Sequence, residues 1–176
     1  MLFEKILGSV ELSIDGTPTD DGIRYFGSLG DAAADHAPGV GCIAEDATTG
    51  SDIMFVFAPD ADGTYLISTN RLDTNADTVV YLTSACVDGA PGECNDNDGP
   101  SLGSTIFLAD AVAGLQYFFV VDSIEGSTGP FELVVEGIGG VAGEGEDCTD
   151  PTVHCAPGLL CQADGETSAC VADAAP

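Results

Sequence analysis

Positive charge is what this sequence has least of. Lys5, Arg24 and Arg71 are its only basic residues, set against 30 acidic ones, and the formal net charge is −27. A chain so acidic is repelled by phosphate, which excludes nucleic acids and anionic membrane surfaces as partners. Histidine is nearly as scarce. His36 and His154 lie far apart, no CxxC or CxxCH occurs, and the common zinc and haem patterns are missing. There is no apolar run of about eighteen residues, so no helix is long enough to span a membrane. The opening MLFEKILGSV is short and carries Glu4 within its apolar stretch, which makes it a poor secretory signal. A GxSxG elbow and a P-loop are also absent, and the GIGG run at 137–140 has no helical pattern after it. Carboxylate pairs suited to glycoside hydrolysis can be drawn anywhere in so acidic a chain, so they single out nothing. The sequence reads as non-catalytic.

What is present is a core and a set of cysteines. The 176 residues are 44% hydrophobic, enough for one domain of ordinary size with a small appendage. Seven cysteines in a chain of this length point to an oxidising compartment, extracellular or at the cell surface. The acidic excess suits a salty medium, bound cations or a solvated surface.

The apolar pattern is that of strands. Residues 2–7 (LFEKIL) place Leu2 and Ile6, and Phe3 and Leu7, four apart, enough for one helical turn in an N-terminal arm over 1–8. Val10, Leu12 and Ile14 alternate with Glu11 and Ser13, as in a half-buried strand. A second strand is expected at Ile23–Phe26, and the Gly-, Ala- and Asp-rich segment from Gly27 to Gly50 reads as loop around Cys42. From Asp52 onward come DIMFVFAP, TYLISTN, TVVYLTS, STIFLAD, LQYFFVVDS and FELVVEG, each bounded by Gly, Pro, Asp or Asn. Ala61-Asp62-Gly63 is a hairpin signal between the first two. LQYFFVVDS is apolar on both faces and belongs at the centre of a sheet. In the last run Phe131, Leu133 and Val135 point one way, and Glu132, Val134 and Glu136 the other. Short strands without a long helix predict an all-β fold, an antiparallel jelly-roll-like sandwich over 9–137.

The stretch from Asp73 to Gly99 carries the candidate sites. Cys86 and Cys94 are close enough in sequence for a disulfide across a turn. The oxygens of Asp77, Asn95, Asp96 and Asp98 are ligands of the kind calcium takes, provided that the strand start and the loop after Cys94 are neighbours. The plainer alternative is an Asx-rich turn that satisfies its own backbone. Cys42 is then left over. A buried thiol is the commoner fate, with an intermolecular bridge or a distant partner as the alternatives.

The ordered set GSDIMFVFAPDADGTYLISTN, DTVVYLTSAC, ECNDND and AGLQYFFVVDSIEGSTGPFELVVE resembles the bacterial pre-peptidase C-terminal domain. That resemblance implies a non-catalytic β-sandwich, with calcium or matrix binding in some members. It places the family's strand start on Asp77-Thr78 and its acidic turn on Cys94, Asn95, Asp96 and Asp98, with Asn97 inserted.

Beyond Gly137 the composition changes. Residues 138–146 are glycine-rich and read as a flexible linker. Cys148, Cys155, Cys161 and Cys170 fall within 147–176, a segment too small to bury a core, so disulfides must hold its shape. Four cysteines allow three pairings and the spacing does not choose among them. The CAPGLLC run is similar to the small knots of colipase or Dickkopf type, which implies Cys148–Cys161 and Cys155–Cys170. The sequence thus predicts a secreted structural or adhesive protein that self-associates into filaments through its N-terminal segment and meets a matrix or cell-surface ligand. An accessory or substrate-targeting domain of a secreted hydrolase is the alternative.

Overall fold

The computed structural model describes residues 10–12, 22–30, 32–39, 41–83, 93–98, 100–165 and 167–172. Residues 1–8, and with them the expected arm, lie outside the described residues, as do Ser13 and Ile14. Among the described residues there is no helix, and the fold is an all-β sandwich with a disulfide-rich tail.

Two sheets form the sandwich. The larger has the order β1 (Val10–Leu12), β3 (Thr49–Phe57), β8 (Tyr117–Ile124), β5 (Thr78–Thr83) and β6 (Cys94–Asp96). The smaller has the order β2 (Ile23–Ser28), β9 (Pro130–Ile138), β4 (Gly63–Ser68) and β7 (Thr105–Ala111). Every pairing within them is antiparallel except β1 with β3. β8, apolar on both faces, does lie at the sheet centre, between β3 and β5. The Ala61-Asp62-Gly63 turn does not make a hairpin: β3 and β4 belong to different sheets, and the turn is an arch between layers. Both strands present an apolar face to the interior, which they satisfy better on opposite sheets than side by side.

Alternation fills the space between the sheets. Phe55, Phe57, Phe119, Ile67, Phe131 and Leu133 are all but fully buried there. The Phe55 and Phe119 rings stack at 5.3 Å, and Tyr25 meets Phe55 edge-on at 5.1 Å. Burying each such side chain contributes about 1.5–3 kcal/mol, so this cluster dominates the stability of the fold. Arg24 pairs with Glu132 and Arg71 with Glu136, both on the outer side of β9.

The glycine-rich segment is not a free linker. Residues 140–142 form β10 (Gly140–Ala142), which pairs parallel with β11 (Val153–Cys155). Ala142 is buried against Cys148 and Cys170. Glycine here reflects crowding: a Cβ on Gly139 would lie 2.3 Å from the Thr152 hydroxyl oxygen. The tail is completed by the hairpin of β12 (Leu159–Asp164) and β13 (Thr167–Ala172). Disulfides link Cys148 to Cys161 and Cys155 to Cys170, the pairing that the CAPGLLC resemblance implies.

Candidate functional site

The outer face of the larger sheet carries a second apolar layer of Met54, Val79, Tyr81, Val120 and Ile124. A strap formed by residues 32–39 and 41–47 reaches this layer, with Cys42 and Ile43 packed on it. Two clamps hold the strap down. One is polar: Asp52 Oδ2 accepts the backbone N–H groups of Asp35 (2.7 Å) and His36 (3.0 Å), and its Oδ1 meets His36 Nδ1 at 2.6 Å. The other is covalent, and it corrects the sequence expectation. Cys94 is bonded to Cys42, 52 residues upstream, and not to Cys86, so Cys42 is neither free nor a buried thiol. The register explains why. Cys94 is paired with Tyr81 in the β5–β6 ladder, so it projects from the outer face toward the strap. Cys86 lies outside the described residues.

Acids line this face in a row. Asp96 pairs with Val79, Val79 with Asp122, and Asp122 with Asp52, one line across β6, β5, β8 and β3. Asp122 is wholly buried. Burial first, and the nearby charge of Asp52 second, push its carboxyl up to about 7. Tyr81 donates its hydroxyl to Asp122 Oδ2 at 3.3 Å, and this bond, with the backbone N–H groups of Ser123 and Gly50, opposes the rise without cancelling it. Asp77 and Asp96 are also raised, chiefly by burial, with Glu125 adding to the first and Asp77 to the second.

The four residues expected to hold calcium do not converge. Continued alternation would set Asp98 opposite Asp77, as Asp96 is set opposite Val79. Asn97 breaks the strand instead, with φ at 76°, in the left-handed region that Asn tolerates. Asp98 is thereby turned away, accepting from Asn70 Nδ2 (3.0 Å) and from the Gly158 N–H of the tail (3.2 Å). Asn95 faces the other sheet, where its Oδ1 accepts the Thr105 N–H at 2.9 Å. Only Asp77 and Asp96 are left as electrostatic neighbours. Calcium takes six to eight oxygens, so a set with two members committed elsewhere does not fit it. Among the described residues, the one group of three metal-type ligand atoms close together is Cys148, Cys155 and Cys170, whose sulfurs are in disulfides.

Sequence reasoning missed Asp52, Asp122 and His36. The available signal was an acid set in phase with an apolar face, as Asp122 is with Val120 and Ile124. It also missed a buried hydroxyl knot: Thr69 Oγ1 meets Thr78 Oγ1 at 2.7 Å and accepts the Ser104 N–H at 2.9 Å, stitching β4, β5 and β7 together. Chemically, Asp52 and His36 resemble the orienting half of a triad. Among the described residues, no hydroxyl or thiol hydrogen-bonds the other ring nitrogen of His36.

Compared with protein-family models, curated proteins and solved structures, the chain matches none of them.

Proposed function

We propose that this protein is a non-catalytic structural or adhesive protein of the cell surface or extracellular matrix, and that it associates with its own kind. One observation carries the reading. The arrangement nearest to a catalytic one, Asp52 with His36, is engaged in holding the strap through three contacts, two to its backbone and one to the His36 ring. Three disulfides support an oxidising setting. A calcium requirement through Asp77, Asn95, Asp96 and Asp98 is not part of the proposal, because Asn95 and Asp98 have other partners.

Fractionation of native cells with antibody labelling in the electron microscope tests it. The protein is expected on the cell surface or in shed extracellular material. Recovery from the cytoplasm would overturn the reading. Recovery only as part of a larger polypeptide bearing a catalytic domain would establish the accessory-domain alternative instead.

A further inference from the structure

Among the described residues the sandwich has four edge strands, β1 and β6 in one sheet and β2 and β7 in the other. An open edge invites another strand, and proteins blunt such edges with charge, shortness or side chains that occupy the ladder groups. β7 is blocked in the last way: Asn95 takes the Thr105 N–H at 2.9 Å, and Glu93 takes the Phe107 N–H at 3.1 Å. β6 is three residues long, contains Asp96 and is followed by the Asn97 kink and Asp98. β1 is also three residues long and pairs with β3 of its own chain.

β2 is protected by neither shortness nor side chains on its ladder groups, and its one charge, Arg24, is already paired with Glu132 of the neighbouring strand. It is six residues long with a regular alternation of half-buried and exposed positions. Among the described residues, no strand pairs with the side turned away from β9. Phe26 stands 63% exposed near its middle. Residues 22–30, GIRYFGSLG, contain Arg24 and no acid, in a chain with 30 acidic residues.

We propose that β2 is the surface through which two copies of this chain associate, edge to edge and antiparallel about a two-fold axis. The occupant follows from charge. A second copy brings the same net charge of −27, so approaches that set acidic surface against acidic surface are repelled. β2 against β2 aligns with itself the one edge strand of the sandwich that, among the described residues, is free of carboxylates. A two-fold axis normal to the sheet gives an antiparallel ladder, joins the two smaller sheets into one, and sets the Phe26 rings on a common outer face. This deepens the self-association in the reading above and places it on β2; of the N-terminal segment, the described strand Val10–Leu12 is already paired within its own chain.

The test uses the full chain with Cys86→Ser, so that the seventh cysteine cannot link copies. Sedimentation equilibrium is run from roughly 0.1 M to about 1 M NaCl, a range over which charge repulsion becomes screened. Dimer is expected to increase with salt, and amide exchange over 23–28 is expected to slow as dimer forms. Phe26→Asp should weaken association by at least about tenfold while leaving the melting curve unchanged at protein concentrations where both are monomeric, as fits an exposed side chain. Ser28→Asp, at another exposed position of the strand, serves as the second variant should the first fail to fold. A monomer at every salt concentration overturns the proposal, and so does a dimer indifferent to both variants or one whose protection appears outside 23–28. A monomer still found on the cell surface would end this inference and leave the adhesive reading standing. A β2-linked dimer recovered from the cytoplasm would do the reverse.

Discussion

At the scale of single residues, Asp122 governs how the fold responds to pH. Its carboxyl titrates near 7 when folded, against an ordinary value of 3.8. Between those values the folded chain keeps a proton that the unfolded chain has released. Stability from this group therefore falls as the pH rises through that window, and the penalty is constant above it. Asp77 and Asp96 act in the same direction. Asp122→Asn, of nearly the same shape but without charge, should flatten the fall and add on the order of 2 kcal/mol at about pH 8. Urea unfolding at about pH 5 and pH 8 measures this, and an unchanged slope in the variant would refute it. Asp98 makes a contrasting case. Because it works through hydrogen bonds to Asn70 and Gly158, Asp98→Ala should cost about 1–2 kcal/mol equally in calcium and in EDTA. A loss seen only in calcium would restore it as a metal ligand.

At the scale of elements, the strap is the least local feature of the chain. Its disulfide closes a loop of sequence separation 52, worth roughly 4 kcal/mol in the chain-entropy account. Cys42→Ala with Cys94→Ala should lower stability by up to that amount. Exchange protection should be lost first at Asp35 and His36, ahead of the sheet behind them. Loss of protection in β8 at the same denaturant concentration would show the strap and sheet to be one cooperative unit. This element also marks the boundary of what the sequence discloses. β9 was legible because each residue's neighbours two places away declare its face, and β8 because its run is apolar on both faces, each a purely local signal. The Cys42–Cys94 bond depends on the β5–β6 register and on a strap crossing the sheet, neither of which is written in the spacing of cysteines. β10 was hidden for another reason: glycines required by close approach to Thr152 look like glycines of a flexible connector. At the candidate site, the residues of the acidic turn were recognisable, but the left-handed conformation of Asn97 decided where Asp98 points.

At the scale of the whole molecule, charge is the dominant fact. Both described arginines are paired with glutamates of β9, and the remaining acids repel one another across the surface. Raising NaCl from roughly 0.05 M to about 1 M shortens the screening length from about 14 Å to about 3 Å, so the melting temperature should climb steadily. A melting temperature independent of salt would mean that the acids are spaced too widely to matter. The attachment of the tail has a mechanical consequence. The tail joins the sandwich through β9, which is bonded on one side to β2 and on the other to β4. A pull on the tail along that strand loads two ladders in shear, so their hydrogen bonds must yield together and not one after another as in unzipping. Within the tail, the Cys148–Cys161 and Cys155–Cys170 links stop the hairpin from paying out slack. Tension applied there is delivered to the interior of the smaller sheet, which makes the tail a handle by which the sandwich can be held.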